Sequence, residues 1–153
     1  MVLFSAFLIG LVAGLRSMTP LAVVSWSARL GALALANTPL AFFGYRYTPI
    51  VFTVLAIGEL VADKLPKTPS RKAPPGFITR VVVGALAGAA IGATAKMLAA
   101  GLLIGIVAAI LGTLGGSSVR QKMAEAFGRD LPAALIEDVA AVGIAIFSVV
   151  VLR

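Results

Sequence analysis

Chemistry could first sit at an arginine that follows an uncharged apolar run, where residues 2–15 give way to Arg16-Ser17-Met18-Thr19-Pro20. Arginine, serine and threonine supply N–H and O–H donors. The proline interrupts a helix, and the backbone N–H groups freed at such a break add further donors. Arg16, Ser17 and Thr19 therefore form a candidate site for an anion or a phosphate headgroup. A structural use fits the same residues: burying an arginine in a bilayer costs from about 2.5 kcal/mol, so Arg16 needs a partner, and Glu59, Glu137 and Asp138 are the candidates.

The carboxylates come in two pairs. Glu59 and Asp63 lie one helical turn apart on one face and could share a cation or a proton, with Glu59 the functional member and Asp63, beside Lys64, solvated at the interface. Glu137 and Asp138 are adjacent, so they point about 100° apart on a helix and cannot both face one pocket. One of them should meet Arg120 or Arg16, and the other sits near a helix start, where its charge suits the dipole. Gly115-Gly116-Ser117-Ser118, shortly before Arg120, is either a second donor cluster or simply a flexible helix end.

The candidate solute-binding residues are thus Arg16, Ser17, Thr19, Glu59, Ser117, Ser118, Arg120 and Glu137. With no Cys and no His, the chain has no thiolate nucleophile and neither of the usual zinc ligands. A serine hydrolase would need a Ser–Lys pair such as Ser118 with Lys96 or Lys122, and no phosphate-cradling P-loop is present. The residues point to a protein that is not an enzyme and that uses no metal or cofactor.

The elements that must position these groups are membrane helices. Of 153 residues, 60% are hydrophobic and 12% charged, against about half and roughly a quarter in soluble domains. The net charge of +7 would suggest nucleic acid in a soluble chain, but here the bases lie between apolar runs. That pattern follows the positive-inside rule and suits anionic lipid headgroups rather than nucleic acid. The apolar N-terminus lacks a basic region before it, so it reads as retained structure rather than a signal peptide.

Fourteen helical residues reach only about 21 Å, so residues 2–15 fall short of a full span. With the break at residues 16–20 and an apolar resumption over 21–35, they predict one discontinuous span or a re-entrant pair. Residues 37–48 mix turn formers with Phe42, Phe43, Tyr45 and Tyr47, as expected at a lipid–water interface. Pro49 opens a helix to about Lys64. Residues 64–80 carry five of the thirteen bases, Lys64, Lys67, Arg71, Lys72 and Arg80, together with four prolines, and should be a cytoplasmic loop.

A span over 78–95 follows, with Gly84, Gly88 and Gly92 on one face, suited to packing within the chain or to a homo-oligomer. Residues 97–119 are uncharged but end in Gly112-Thr113-Leu114-Gly115-Gly116-Ser117-Ser118, which predicts a second break. A short amphipathic surface helix over 120–130 and a last span over 131–152 complete the chain.

At Gly14-Leu15-Arg16-Ser17-Met18-Thr19-Pro20, Glu59-Leu60-Val61-Ala62-Asp63-Lys64-Leu65-Pro66 with Thr68-Pro69-Ser70-Arg71, and Gly115-Gly116-Ser117-Ser118-Val119-Arg120, the chain resembles a family of small bacterial membrane proteins of unknown function. The resemblance covers nearly the whole length. It implies a bacterial inner-membrane location and no particular chemistry.

The expected fold is an all-α, polytopic transmembrane bundle forming one domain over 1–153. It has four to five membrane segments, two of them broken or re-entrant. Loose halves 1–65 and 77–153 form a possible internal repeat joined by the basic loop. Paired broken segments mark binding sites in transporters, so the leading expectation is a transporter or channel for an ion or small polar solute. The alternatives are a lipid-handling protein, which a groove open sideways to lipid would favour, and a non-catalytic assembly factor, in which Arg16 and Glu59 would be fully ion-paired.

Overall fold

The computed structural model describes residues 1–65 and 73–152. Three of the bases assigned to the cytoplasmic loop, Lys67, Arg71 and Lys72, lie outside them, as does the Pro66-to-Arg71 stretch of the motif. Among the described residues the chain is all-helical: α1 Val2–Leu15, α2 Met18–Arg29, a 3-10 turn Ala41–Gly44, α3 Thr48–Ala62, α4 Pro74–Ala93, α5 Leu98–Phe127 and α6 Asp130–Val150. Three of them, α4, α5 and α6, are long and apolar enough to cross a membrane. At 1.5 Å per residue they measure about 30, 45 and 32 Å, whereas α1, α2 and α3 reach only about 18 to 22 Å.

Side-chain pairings fix the directions. Gly10 faces Gly105 and Ala108, and Gly14 faces Ala109, Gly112 and Thr113, so α1 and α5 run the same way. Gly84 meets Gly105 and Gly88 meets Gly101, which sets α4 antiparallel to α5. Arg16 pairs with Asp138 of α6, while Val23, Trp26 and Ser27 share a crevice with Ile146, Val149 and Val150, so α2 runs alongside α6 and back against α1. The break at Arg16-Ser17 is therefore the tip of a helical hairpin, and the six helices alternate in direction. The end of the bundle that holds this tip is called upper below.

The interior is rich in small side chains: Ala6, Ala13, Ala87, Ala90, Ala108, Ala109, Ala141 and Ala145 are buried beside Ile9, Val12 and Ile91, while Ile50, Val54, Leu103, Val107, Val139 and Ile146 are exposed. Large apolar groups outside and small ones inside are what lipid demands, because association there depends on close packing rather than on escape from water. A Cβ at Gly105 would lie 2.1 Å from the Gly84 carbonyl oxygen, and one at Gly88 would lie 2.4 Å from that of Gly101. The Gly84, Gly88, Gly92 face is thus filled by α5 of the same chain and does not offer itself to a second copy.

The second expected break is not there. α5 runs as one helix through residues 112–118, since Gly112 lets the backbone of α1 approach, a Cβ there falling 2.3 Å from the Leu11 carbonyl oxygen. Ser117 and Ser118 donate their hydroxyls back to the Leu114 carbonyl at 2.9 and 3.0 Å, which satisfies them within the helix. Glycine's weak helix propensity is overridden by the packing it permits. The surface helix expected over 120–130 is the upper end of this same α5, closed by Gly128 at φ 66°.

At the lower end, Phe42 stacks on Phe43 at 4.4 Å, and Phe43 lies 6.0 Å from Phe52. Trp26 donates its indole N–H to the Thr53 hydroxyl at 3.0 Å, tying α2 to α3. Tyr45 and Tyr47 are exposed on this aromatic loop.

Candidate functional site

The hairpin tip creates a local accounting problem. The last carbonyls of α1 and the first N–H groups of α2 lose their helical partners at once. Arg80 supplies one answer, donating to the Gly14 carbonyl at 3.0 Å and the Leu15 carbonyl at 2.7 Å. Glu59 supplies the other. One of its carboxylate oxygens accepts the Ser17 N–H at 2.8 Å and the Ser17 hydroxyl at 2.7 Å, and the other accepts the Met18 N–H at 2.8 Å. A cation thus faces a helix C-terminus and an anion a helix N-terminus, the polarity that the helix dipole favours. The Arg80 guanidinium lies 3.7 Å from Glu59, which joins the two caps.

Arg16 itself is extended at the break, with φ −141° and ψ 115°, and its side chain is fully buried. The guanidinium bridges Asp63 of α3 and Asp138 of α6. Lys64 joins from the same turn as Asp63, donating to Asp138 at 2.6 Å and to the Leu60 carbonyl at 2.8 Å. On the next position of α6, Glu137 turns the other way and meets Arg120 at 3.3 Å, while Arg120 also forks onto Asp130 at 2.6 and 3.0 Å. Five of the six acidic residues therefore lie in one upper layer with Arg16, Lys64, Arg80 and Arg120. The charges are held in lipid-facing helices by one another.

The expected site residues fall into three groups. Arg16, Ser17 and Glu59 do meet at the break, with Thr19 buried as the second residue of α2. Arg120 and Glu137 meet each other beside it. Ser117 and Ser118 join neither group, because their hydroxyls turn back onto their own helix.

Two participants correct the sequence reading. Asp63, expected to be solvated, is a direct partner of Arg16, because α3 ends at the level of the hairpin tip. Arg80, expected in the basic loop, lies inside α4 and is buried. Asp138, one of the partners expected for Arg16, also holds Lys64. The signal for Arg80 was available: it precedes an apolar run that is too short to span unless the residues before it are included.

Beside the charge layer, α1, α5 and α6 leave a cavity of about 350 Å³. Its walls include Leu11, Leu15, Val119, Met123 and Ile136, and its polar lining is Arg120 and Glu137. Val119, Leu111 and Ile136 in its lining are about half exposed, so the cavity is an open groove on the surface of the bundle. Gly115 lines it, and a Cβ there would meet nothing within 4 Å.

Arg16 and its partners can thus carry the helix break, while the groove is an apolar trough with Arg120 and Glu137 among its lining residues. No curated protein and no solved structure matches the chain. A family model matches residues 3–151, nearly the whole length, and on that match the chain belongs to the family described as Domain of unknown function (DUF4126).

Proposed function

We propose that this is a lipid-handling protein of the bacterial inner membrane, one that seats a phospholipid with an acyl chain in the α1–α5–α6 groove and its headgroup at Arg120 and Glu137. The observation that carries this reading is an open, almost wholly apolar groove between α1, α5 and α6, with half-exposed Leu111, Val119 and Ile136 in its lining. An acyl chain suits such a lining, and a small hydrated ion does not. In this arrangement α4, α5 and α6 cross the bilayer. The α1–α2 hairpin and α3, too short to cross, enter from the aromatic side and stop at the charge layer as re-entrant elements. Lys64 and Arg80 at the upper end, with the positive-inside rule, favour a cytoplasmic upper end.

Transport of an ion or small polar solute, the leading expectation from sequence, rested on Arg16, Ser17, Thr19, Glu59, Ser117, Ser118, Arg120 and Glu137 at two broken helices. In the fold Arg16, Ser17 and Glu59 have a structural use as caps and ion pairs at the hairpin tip. The deciding experiment reconstitutes the protein in liposomes and follows labelled phospholipid between leaflets beside K⁺, Na⁺, H⁺ and Cl⁻ flux. Lipid movement that Gly115→Phe abolishes supports the proposal. Ion flux that survives Gly115→Phe, with no lipid movement, overturns it in favour of transport.

A further inference from the structure

The end of the bundle opposite the charge layer carries charge of one sign only. All six acidic side chains lie toward the upper end: Glu59, Asp63, Glu137 and Asp138 around the hairpin tip, and Glu125 and Asp130 where α5 passes into α6. The lower end, where α2 stops, α3 begins and α4 turns into α5, holds Arg29, Arg46 and Lys96. All three are exposed, and among the described residues none has a carboxylate within ion-pair distance. Trp26, Tyr45 and Tyr47 are exposed at the same end, and aromatics of this kind settle at the level of lipid headgroups. The Arg46 guanidinium lies over the Tyr47 ring, 5.6 Å from its centre.

Arg29 also lines a cavity. Gly31, at φ 78°, turns the chain back beyond α2, and the loop that follows encloses about 620 Å³ together with the 3-10 turn. Hydrogen-bond donors in the lining are the Arg29 guanidinium, the Tyr45 hydroxyl and the backbone N–H groups of Ala34 and Ala36, and no acidic residue is among them. Among the described residues none of these donors has an acceptor. The carbonyls that end α2 would repel an anion if they were bare, but they are occupied. Trp26 accepts from Leu30 at 2.9 Å, Ser27 from Ala32 at 2.8 Å and Leu33 at 3.1 Å, and Ala28 from Gly31 at 3.2 Å.

Unused donors, a fixed positive charge and no carboxylate suit a phosphate, whose oxygens accept from guanidinium, hydroxyl and backbone N–H alike. The aromatic residues set the cavity at headgroup depth, where lipid phosphates are the abundant anions. An ammonium headgroup would find no carboxylate at this end, so a net negative headgroup has the advantage.

We infer that this cavity is a phosphate site, filled by the headgroup of an anionic phospholipid from the leaflet at the lower end. It stands apart from the α1–α5–α6 groove and does not depend on it.

The test is native mass spectrometry of the full chain released from nanodiscs holding equal amounts of phosphatidylglycerol and phosphatidylethanolamine with identical acyl chains. Wild type should retain phosphatidylglycerol about tenfold over phosphatidylethanolamine, the size of one charge-assisted contact. Arg29→Gln should bring the ratio close to one, and Tyr45→Phe should lower it about threefold. Ala34→Trp, at an exposed position, keeps every charge but fills the cavity, and should lose the preference as Arg29→Gln does. Thermal unfolding verifies that each variant is folded.

Lys122→Gln removes the same charge at the upper end and should leave the ratio unchanged. Equal losses from Arg29→Gln and Lys122→Gln overturn the site, because net charge alone would then explain the preference. A ratio that Ala34→Trp leaves intact overturns it too. Inorganic phosphate added to the detergent-purified chain separates the two sources of phosphate. If it raises the unfolding midpoint of wild type but not of Arg29→Gln while the two lipids are retained equally, free phosphate is the occupant and the lipid assignment falls. Gly115→Phe should not move the phosphatidylglycerol preference, so failure of the groove reading and failure of this one are told apart.

Discussion

Glu59, near the end of α3, accepts both the backbone N–H and the hydroxyl of Ser17 at the start of α2, at 2.8 and 2.7 Å. One carboxylate thereby closes the tip of a hairpin made by two other helices, and it ties α3 to the bundle at the same point. Replacing Glu59 by Ala removes an anionic cap and leaves Arg80 beside orphaned N–H groups. The expected loss is about 3 kcal/mol, in the range for breaking a buried ion pair. Glu59→Gln keeps an acceptor and should lose about 1 kcal/mol, typical of a weakened cap. Thermal unfolding of the two variants in detergent would check this, and equal midpoints for Gln and Ala would contradict the capping role.

Arg16 bridges two carboxylates from different helices, a task suited to a planar fork rather than a point charge. Arg16→Ala should cost about 3 to 5 kcal/mol because it strips a partner from Asp63 and Asp138 inside the bundle. Arg16→Lys should rescue only a minor part of this loss. Yield of monodisperse protein and its unfolding midpoint measure both effects, and full rescue by Lys would show that bridging is unimportant.

The α4–α5 contact depends on the absence of side chains. Gly105→Ala places a methyl 2.1 Å from the Gly84 carbonyl oxygen, where backbone must give way. A loss of about 1 to 3 kcal/mol is expected from such overpacking. Gly143→Ala meets nothing within 4 Å and should be neutral or gain up to about 1 kcal/mol from helix propensity. Parallel unfolding curves for the two variants would distinguish close packing from a general sensitivity to substituting glycine.

Lys96, in the turn between α4 and α5, holds φ at 59°, a conformation that costs a residue with a side chain roughly 1 kcal/mol or more. Lys96→Gly should therefore raise stability by about 1 kcal/mol. An unchanged or lowered unfolding midpoint would mean that the lysine charge at this end matters more than its backbone strain.

The sequence by itself determined the membrane character, the short first helix and a break within residues 16–20, which the fold narrows to Arg16-Ser17, with Pro20 in the first turn of α2. These follow from local quantities: apolar run length against bilayer thickness, and the charge that ends the run. It also determined that Glu137 and Asp138 point apart and that one of them meets Arg120 or Arg16; in the fold both are paired, Glu137 with Arg120 and Asp138 with Arg16. The pairing of Arg16 with Asp63, the return of α2 against α1 and the burial of Arg80 were decided only by tertiary structure. Each depends on which helix ends arrive at one level, and no local pattern encodes that.

The stretch Gly112 to Ser118 marks the same boundary from the other side. Local propensity reads it as a break, yet α5 continues through it because α1 packs closely onto Gly112. In lipid, where close backbone approach holds helices together, the partner across the interface decides whether a glycine ends a helix or seats one.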